Sequence, residues 1–199
     1  LIAFQNVVTA RLDPQRPDTV LNWTASETGP TSHHDKPYLT EPFMNEQVAW
    51  DSEFYLSIAL RGYDDPNVRT ATPVKEDDKL GQEPVSLNYA FYPMYPWVMR
   101  IVSYPLWLVT PTPVASLTLA GVLVSALGAL AAMIALFDIV RQREGDDSAT
   151  RAAFYMLIFP TGFFLAMVYT EGLFMGLAVA SLALMQRKHL AWAGILAAL

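Results

Sequence analysis

Cysteine is absent from the 199-residue chain, and charged residues make up only 16% of it. The absence of cysteine excludes disulfide bonds and thiolate metal ligands. A typical soluble domain carries about 25% charged residues. The net charge of −6 also argues against nucleic acid as a partner, because nucleic-acid-binding domains are basic. These absences leave a protein that depends neither on disulfides nor on a basic surface.

Apolar residues, in contrast, make up 53% of the chain and are unevenly distributed. Residues 115–199 are almost continuously apolar, whereas residues 11–90 are polar. This division predicts an all-α polytopic membrane protein with a large extracytoplasmic first loop. Residues 1–10, which begin without Met, are interpreted as the end of a first transmembrane helix. Because the chain stops within an apolar run, we interpret it as the N-terminal part of a longer helical bundle.

The apolar part of the chain divides into runs that predict transmembrane helices. These runs cover residues 114–140, 152–170, 172–186 and 189–199, the last of them truncated. Pro160 and Gly162 are expected to kink the second run, because proline removes a backbone donor and both residues are poor helix formers.

Small residues recur every three or four positions in the first run. They are Gly121, Ser125, Gly128 and Ala132. Small side chains at this spacing let two helices approach closely in lipid. We therefore interpret them as a packing face for another helix.

Basic residues in short connections favour the cytoplasmic side of a membrane. The relevant residues are Arg141, Arg143, Arg151, Arg187 and Lys188. Loop 11–96 and the turn at 169–172 are therefore predicted to be extracytoplasmic. Residues 97–113 are too short and too broken to span, and they predict an interfacial helix with Trp and Tyr at the lipid boundary.

Within the loop, residues 50–61 predict a membrane-proximal helix. Trp50, Phe54 and Ile58 are four residues apart, and Gly62 is a stop signal. No cofactor is predicted with certainty. A divalent metal has only the pair His33 and His34, followed by Asp35, in its favour, and adjacent histidines in a Pro-rich loop are usually just exposed.

Asp51 begins this predicted helix and has two interpretations. An aspartate at a helix start is most often an N-cap. An aspartate surrounded by Trp50, Phe54 and Tyr55 at a membrane surface is also a candidate general base, because apolar surroundings tune a carboxylate. Glu53 is expected to be a solvated helix residue, although it places a second carboxylate nearby.

Glu171 and Arg100 are the other candidates on the extracytoplasmic side. Glu171 is either an interfacial loop acid or a functional residue, since ionisable groups at a membrane hairpin are costly. Arg100 follows "FYPMYP" and either clamps a phosphate or extends toward lipid head groups. The residues alone leave both alternatives open.

Three ordered segments resemble the GPI mannosyltransferase 2 (PIG-V-like) family, whose relatives have the GT-C fold. They are "WDSEFYLSIALRGY" at residues 50–63, "YAFYPMYPWVMR" at residues 89–100 and "FPTGFFLAMVYTEGLF" at residues 159–174. The chain departs from the family pattern at Gly172, where the family usually has Ser.

The resemblance implies a multi-pass glycosyltransferase of a prokaryotic cell membrane or the eukaryotic endoplasmic reticulum. The reaction would move a hexose, with mannose the first choice, from a polyprenyl-phosphate donor to a glycan, glycolipid or protein acceptor outside the cytoplasm, with inversion. Asp51 would be the general base, and Arg100 would stabilise the leaving phosphate. The other implied substrate-binding residues are Glu171, Glu53, Trp50, Tyr63, Tyr92 and Tyr95.

Two other classes compete with this interpretation. A transporter or flippase of lipid-linked sugars would have ionisable residues in mid-span and inverted repeats. The predicted spans carry only Asp138, near a cytoplasmic end, and no repeat is evident. A structural subunit would use the loop only to bind partners.

Overall fold

The computed structural model describes Ala3, Val7, Met44, Val68 and residues 46–48, 51–66, 70–71, 85–110 and 112–199, and this part of the chain is mostly α-helical. Ala3 and Val7, within the predicted first helix, are both helical. Trp50 and the segment with His33, His34 and Asp35 lie outside the described residues. The chain forms two compact units. We name Gln15–Leu119 the loop unit, and Leu1–Pro14 with Ala120–Leu199 the helical unit.

The loop unit begins its described structure with helix α1, Ser52–Arg61. Gly62 follows the helix with φ 93°, and its amide donates to the Ile58 carbonyl oxygen. A positive φ favours glycine because it has no Cβ to clash with the backbone. The helix and its stop at Gly62 are therefore confirmed, with Asp51 at the N-cap position.

A short antiparallel strand pair follows, which the sequence analysis did not predict. Strand β1 is Thr70–Ala71 and strand β2 is Val85–Ser86, paired Thr70 with Ser86 and Ala71 with Val85. Strands of two residues are too short to show an alternating pattern. A first 3₁₀ helix, Leu87–Ala90, continues directly from β2.

Helix α2 covers Met94–Leu106, so it begins and ends earlier than the predicted 97–113 interfacial helix. Pro93 occupies its N-cap, and Pro105 lies in its last turn. Proline suits the start of a helix, but it has no amide hydrogen to donate in a hydrogen bond within one. The two prolines therefore explain why α2 begins and ends earlier than predicted. Trp97, Ile101 and Tyr104 are exposed along one side of this helix.

Helix α3, Pro113–Ile158, has 46 residues and begins within the loop unit. Thr112 caps it, because its Oγ1 accepts a hydrogen bond from the Ala115 amide at 3.1 Å. Gly145 breaks the helical geometry with φ 81° and ψ 175°. This break falls within the predicted polar connection. Among the described residues, α3 is the one helix long and apolar enough to cross a membrane.

The helical unit continues beyond α3 with a break in the helical backbone. The α3 helix ends at Ile158, and a second 3₁₀ helix, Gly162–Ala166, precedes α4, Glu171–Gln186, and α5, Leu190–Ala198. The break expected at Pro160 and Gly162 is confirmed. The predicted run 152–170 is consequently helical only in its first part.

Helices α3 and α4 pack through direct backbone contact. A Cβ on Gly128 would lie 2.3 Å from the Gly172 carbonyl oxygen, and one on Gly176 would lie 2.6 Å from the Gly128 carbonyl oxygen. The buried Ser125 hydroxyl also donates to the Tyr169 carbonyl oxygen at 2.9 Å. The packing face predicted from small residues is therefore confirmed at Ser125 and Gly128.

An ion pair joins the part of α3 before Gly145 to the other end of α4. Arg187 donates to both carboxylate oxygens of Asp138, at 2.8 and 2.5 Å. Ser125 and Gly128 contact the start of α4, and Asp138 contacts its end. The part of α3 before Gly145 therefore runs parallel to α4, and the chain after Gly145 returns from the Asp138 end to the Ser125 end.

We predict that Gly172→Ala destabilises the helical unit by about 1–3 kcal/mol, as expected when a methyl group is forced into a packed interface. A Cβ there would lie 2.3 Å from the Ser125 carbonyl oxygen, so the helices must separate. Thermal unfolding of the detergent-solubilised protein measures the effect.

The matched control is Gly194→Ala in α5, where an added Cβ meets nothing within 4 Å. Alanine is the better helix former, so this variant should unfold at the same or a slightly higher temperature. Equal melting temperatures for the two variants would contradict the packing argument.

Candidate functional site

Asp51 is the exposed end of a helix whose next eight residues, Ser52 through Ala59, are all buried. Its carbonyl oxygen accepts from the Phe54 amide at 3.0 Å. Its side chain, however, accepts no capping hydrogen bond from the first turn of α1. Asp51 therefore has the N-cap position without the N-cap bond, and its carboxylate stands at the surface of the loop unit.

Aromatic rings join α1 to the segment that precedes and begins α2. Phe54 stacks on Phe91 with ring centroids 4.8 Å apart, and Tyr55 meets Phe91 and Tyr95 edge-on at 5.2 and 5.3 Å. Edge-to-face and stacked pairs add to the free energy gained from burial. This aromatic cluster brings together the first and second of the segments that carry the family resemblance.

Glu53 does not have the environment that the sequence suggested. The expectation of a solvated side chain is wrong, because Glu53 is only 4% exposed. Helix α1 is buried on all sides, so a residue two positions after Asp51 points into the unit. A substrate at the surface would meet Asp51 first.

The three candidate tyrosines have different environments. Tyr92 is 86% exposed, whereas Tyr95 is 2% exposed within the aromatic cluster. The Tyr63 hydroxyl donates to the Phe91 carbonyl oxygen at 2.8 Å, and burial raises the pKa of this phenol. Tyr92 can contact a ligand from solvent, while Tyr63 and Tyr95 hold the segment at Phe91 in place.

A fourth tyrosine, Tyr89, lies next to Tyr63 in the loop unit. The Tyr89 hydroxyl donates to the Asp64 carboxylate at 2.7 Å, and this hydrogen bond is the main reason that the pKa of Tyr89 is raised. The bond is strongest with a neutral phenol and an ionised carboxylate. It fastens the turn after α1 to the first 3₁₀ helix.

A buried polar network lies against α1, and the sequence did not predict it. Ser57 donates to the Asp65 carboxylate at 2.9 Å, and the Asn88 side-chain amide donates to Ser57 at 2.9 Å and to the Gly62 carbonyl oxygen at 3.2 Å. Arg61 lies 3.7 Å from Asp65. A serine on a buried helix face indicates a hydrogen-bonding partner, since buried polar groups are usually hydrogen-bonded.

Arg100 lies at the opposite end of α1 from Asp51. Its guanidinium donates to the Leu60 carbonyl oxygen at 2.9 Å. Nine residues of helical rise separate Leu60 from Asp51 by about 13 Å. A cation at a helix C-terminus is stabilising. In this arrangement Arg100 fastens α2 to α1 and does not adjoin the Asp51 carboxylate.

Glu171 belongs to the helical unit, where it is the first residue of α4. It lines a cleft of about 650 Å³ between α3, the second 3₁₀ helix and α4. The other walls are mainly apolar and include Leu136, Tyr155, Phe159, Phe164 and Met175. We name this the glutamate cleft. Glu171 therefore lines a space large enough for a ligand, while its Oε2 atom is buried.

No group of three or more His, Asp or Glu side chains is arranged to hold a metal ion within the parts of the chain that the structure describes. The histidine pair at residues 33 and 34 falls outside those parts.

We compared the chain with protein-family models, curated proteins and solved structures. No family model, no curated protein and no solved structure matches the chain.

We predict that Asp65→Ala destabilises the protein by about 2–3 kcal/mol, because the change leaves the buried Ser57 hydroxyl without its acceptor. The Asp65 side chain has no exposed surface. Thermal or denaturant unfolding measures the loss.

The neighbouring Asp64→Ala variant serves as the control, since Asp64 is exposed and its bond to Tyr89 lies at the surface. Its effect on the melting temperature should be much smaller. A larger effect at residue 64 than at residue 65 would show that the buried network does not stabilise the loop unit.

Proposed function

We propose that this chain belongs to a polytopic membrane glycosyltransferase of GT-C-like architecture, with Asp51 as its general base. The donor is a polyprenyl-phosphate hexose, with mannose the first choice, and the acceptor lies on the extracytoplasmic side. The observation that carries the proposal is that the aspartate residue Asp51 is exposed directly before a helix whose first eight residues are buried.

The setting of Asp51 suits a catalytic base. Eight buried residues immobilise α1, and the aromatic cluster ties the helix to α2. A base must be held in a fixed geometry relative to its substrate. A carboxylate at the surface of a rigid helix can reach an acceptor hydroxyl without rearranging the unit.

The proposed reaction is a single displacement with inversion. Asp51 takes the proton of the acceptor hydroxyl, and the hydroxyl oxygen forms a bond to the anomeric carbon. The bond from that carbon to the phosphate oxygen breaks, and its electron pair leaves with the polyprenyl phosphate. Tyr92, which is exposed, is proposed to contact the sugar.

The hydrogen bond from Arg100 to the Leu60 carbonyl oxygen changes the role that we propose for Arg100. Its bond to Leu60 and the length of α1 place it about 13 Å along the helix from Asp51. A single glycosidic phosphate does not extend over that length. We therefore propose that Arg100 is a positioning residue that holds α2 against the end of α1.

The parallel arrangement of α3 and α4 supports the proposed topology. It places Arg187 at the same end of the helical unit as Asp138, close in sequence to Arg141 and Arg143. Basic residues gathered at one end are typical of the cytoplasmic side. Glu171, at the start of α4, then belongs to the extracytoplasmic end.

We predict that Asp51→Asn lowers sugar transfer by about 10²–10⁴-fold, the usual contribution of a general base. Asparagine keeps the size of the side chain but cannot take a proton at neutral pH. The measurement is transfer of radiolabel from polyprenyl-phosphate mannose to lipids or proteins in membranes that contain the expressed protein.

Asp147→Asn is the matched control, since Asp147 is an exposed aspartate on α3 near the Gly145 break. It should retain wild-type transfer. Both variants must insert and unfold like the wild type. Transfer by Asp51→Asn at the control level would eliminate the base assignment.

A transporter or flippase of lipid-linked sugars is the second candidate. The broken backbone between Ile158 and Glu171, together with the glutamate cleft, is the observation in its favour, because transporters bind substrates at interrupted helices. Protein in sealed vesicles separates the two functions. A transporter moves the intact labelled donor across the bilayer, whereas a transferase moves only the sugar onto an acceptor.

A further inference from the structure

The exposed side of α2 carries a row of large apolar side chains. Trp97, Ile101 and Tyr104 are 59%, 67% and 58% exposed. They recur every three or four residues, so they lie along one face of the helix. Arg100 is the only charged residue between positions 94 and 110 of the sequence. An exposed apolar row of this kind marks a contact surface.

The row continues into the turn that joins α2 to α3. Leu108 and Val109 in this turn are 89% and 75% exposed. Trp107 is also exposed, and its ring lies beside that of Tyr104, with the centroids 5.4 Å apart. We name six side chains the apolar face: Trp97, Ile101, Tyr104, Trp107, Leu108 and Val109.

Hydrogen bonds fasten the turn to the helices on both sides of it. The Thr110 hydroxyl donates to the Leu106 carbonyl oxygen at 2.9 Å and is also hydrogen-bonded to the Ser116 hydroxyl, near the start of α3. The Val109 amide donates to the same Leu106 oxygen at 3.0 Å. The end of α2 is therefore tied to the start of α3, and the apolar face ends where α3 begins.

The helix that follows indicates what covers the apolar face. Helix α3 begins at Pro113 and is, among the described residues, the one helix long and apolar enough to cross a membrane. The apolar face and the first turns of α3 belong to the same unit. Trp and Tyr side chains concentrate where the hydrocarbon of a bilayer meets the head groups. A helix that lies in this interface buries one apolar face there.

We propose that the apolar face docks the loop unit on the surface of the phospholipid bilayer that α3 crosses. Trp97, Ile101 and Leu108 contact the acyl chains, and burial of apolar surface drives the contact. The chain has a net charge of −6, so attraction to anionic lipids is not its basis. This inference goes beyond sugar transfer and needs only that α3 spans a bilayer.

Docking through this face determines on which side of α2 the helix α1 lies. Residues two positions apart on a helix point in nearly opposite directions, so Tyr95 points away from the side that Trp97 exposes. Tyr55 of α1 meets Tyr95 edge-on. Helix α1 therefore packs on the side of α2 turned away from the bilayer, and packed helices are about 8–10 Å apart. Under the proposed function, this contact holds Asp51 on the water side of the head groups.

The test uses the absence of cysteine from the chain, since any introduced cysteine is then the single labelling site. Ile101→Cys and Leu108→Cys carry a nitroxide on the apolar face, and Asp64→Cys carries one at an exposed position after α1. The full chain is reconstituted in phosphatidylcholine nanodiscs. Electron paramagnetic resonance measures how often each nitroxide collides with oxygen, which concentrates in hydrocarbon, and with a nickel chelate, which stays in water.

We expect the nitroxides at residues 101 and 108 to collide with oxygen and to be shielded from the nickel chelate. The nitroxide at residue 64 should collide with the chelate. Frequent chelate collisions at residue 101 would show that the apolar face lies in water. Few collisions with either reagent would show that protein covers it. Either result would overturn the proposal.

A charge placed in the apolar face provides an independent check. Trp97→Glu should let the chelate reach a nitroxide at residue 101, because a carboxylate among acyl chains is costly. The matched control is Pro66→Glu, at an exposed position in the turn after α1, and it should leave residue 101 shielded. Both substitutions are at exposed positions, so neither removes a buried side chain. Equal shielding in the two variants would contradict the assigned face.

Salt separates apolar docking from electrostatic docking. Attraction between surface charges is largely screened in about 1 M salt, whereas apolar contact is not. The shielding of residue 101 should therefore persist when salt is added. Loss of shielding would overturn the assignment to apolar contact.

The docking surface and the sugar transfer can fail separately. The resonance measurement needs no donor or acceptor, so Asp51→Asn should dock like the wild type. A docked wild-type protein without transfer activity would overturn only the proposed function. Transfer activity with residue 101 in water would overturn only the docking surface.

Discussion

The close approach of α3 and α4 at Gly128 and Gly172 is the constraint on which the helical unit depends. The two backbones meet where any side chain would collide with a carbonyl oxygen. Contact at this distance fixes the start of α4, and the Asp138–Arg187 ion pair fixes its end. The parallel course of the two helices then obliges the intervening chain to return, and this return creates the wall of the glutamate cleft.

Aromatic packing fixes the loop unit in a corresponding way. Tyr55 touches both Phe91 and Tyr95, so residues that are far apart in the sequence become one cluster. The buried Ser57 and Asp65 pair secures the turn after α1 on the other side. Asp51, directly before the helix, is exposed at the surface of this packing. A surface carboxylate on a helix that packing holds in place is suited to act on a bound substrate.

Features that depend on local chemistry could be predicted from the sequence. Gly62 ends α1 because its φ is positive, Pro160 and Gly162 interrupt a helix, and the spacing of Ser125 and Gly128 indicates a packing face. Features that depend on distant partners could not. Glu53 is buried because α1 is surrounded, and Arg100 bonds to Leu60 because α2 folds back on α1. Neither fact has a signature in the neighbouring residues.

The packing at Gly172 bears directly on the neighbouring candidate residue Glu171. A serine there would bring its Cβ against the Ser125 carbonyl oxygen, so in this chain the position serves helix contact. Glu171 is thereby placed on the most constrained backbone of the helical unit. Both candidate carboxylates, Asp51 and Glu171, stand at the N-terminal end of a helix, where the macrodipole stabilises negative charge. The packing of each helix thereby fixes the position of the carboxylate residue at its start.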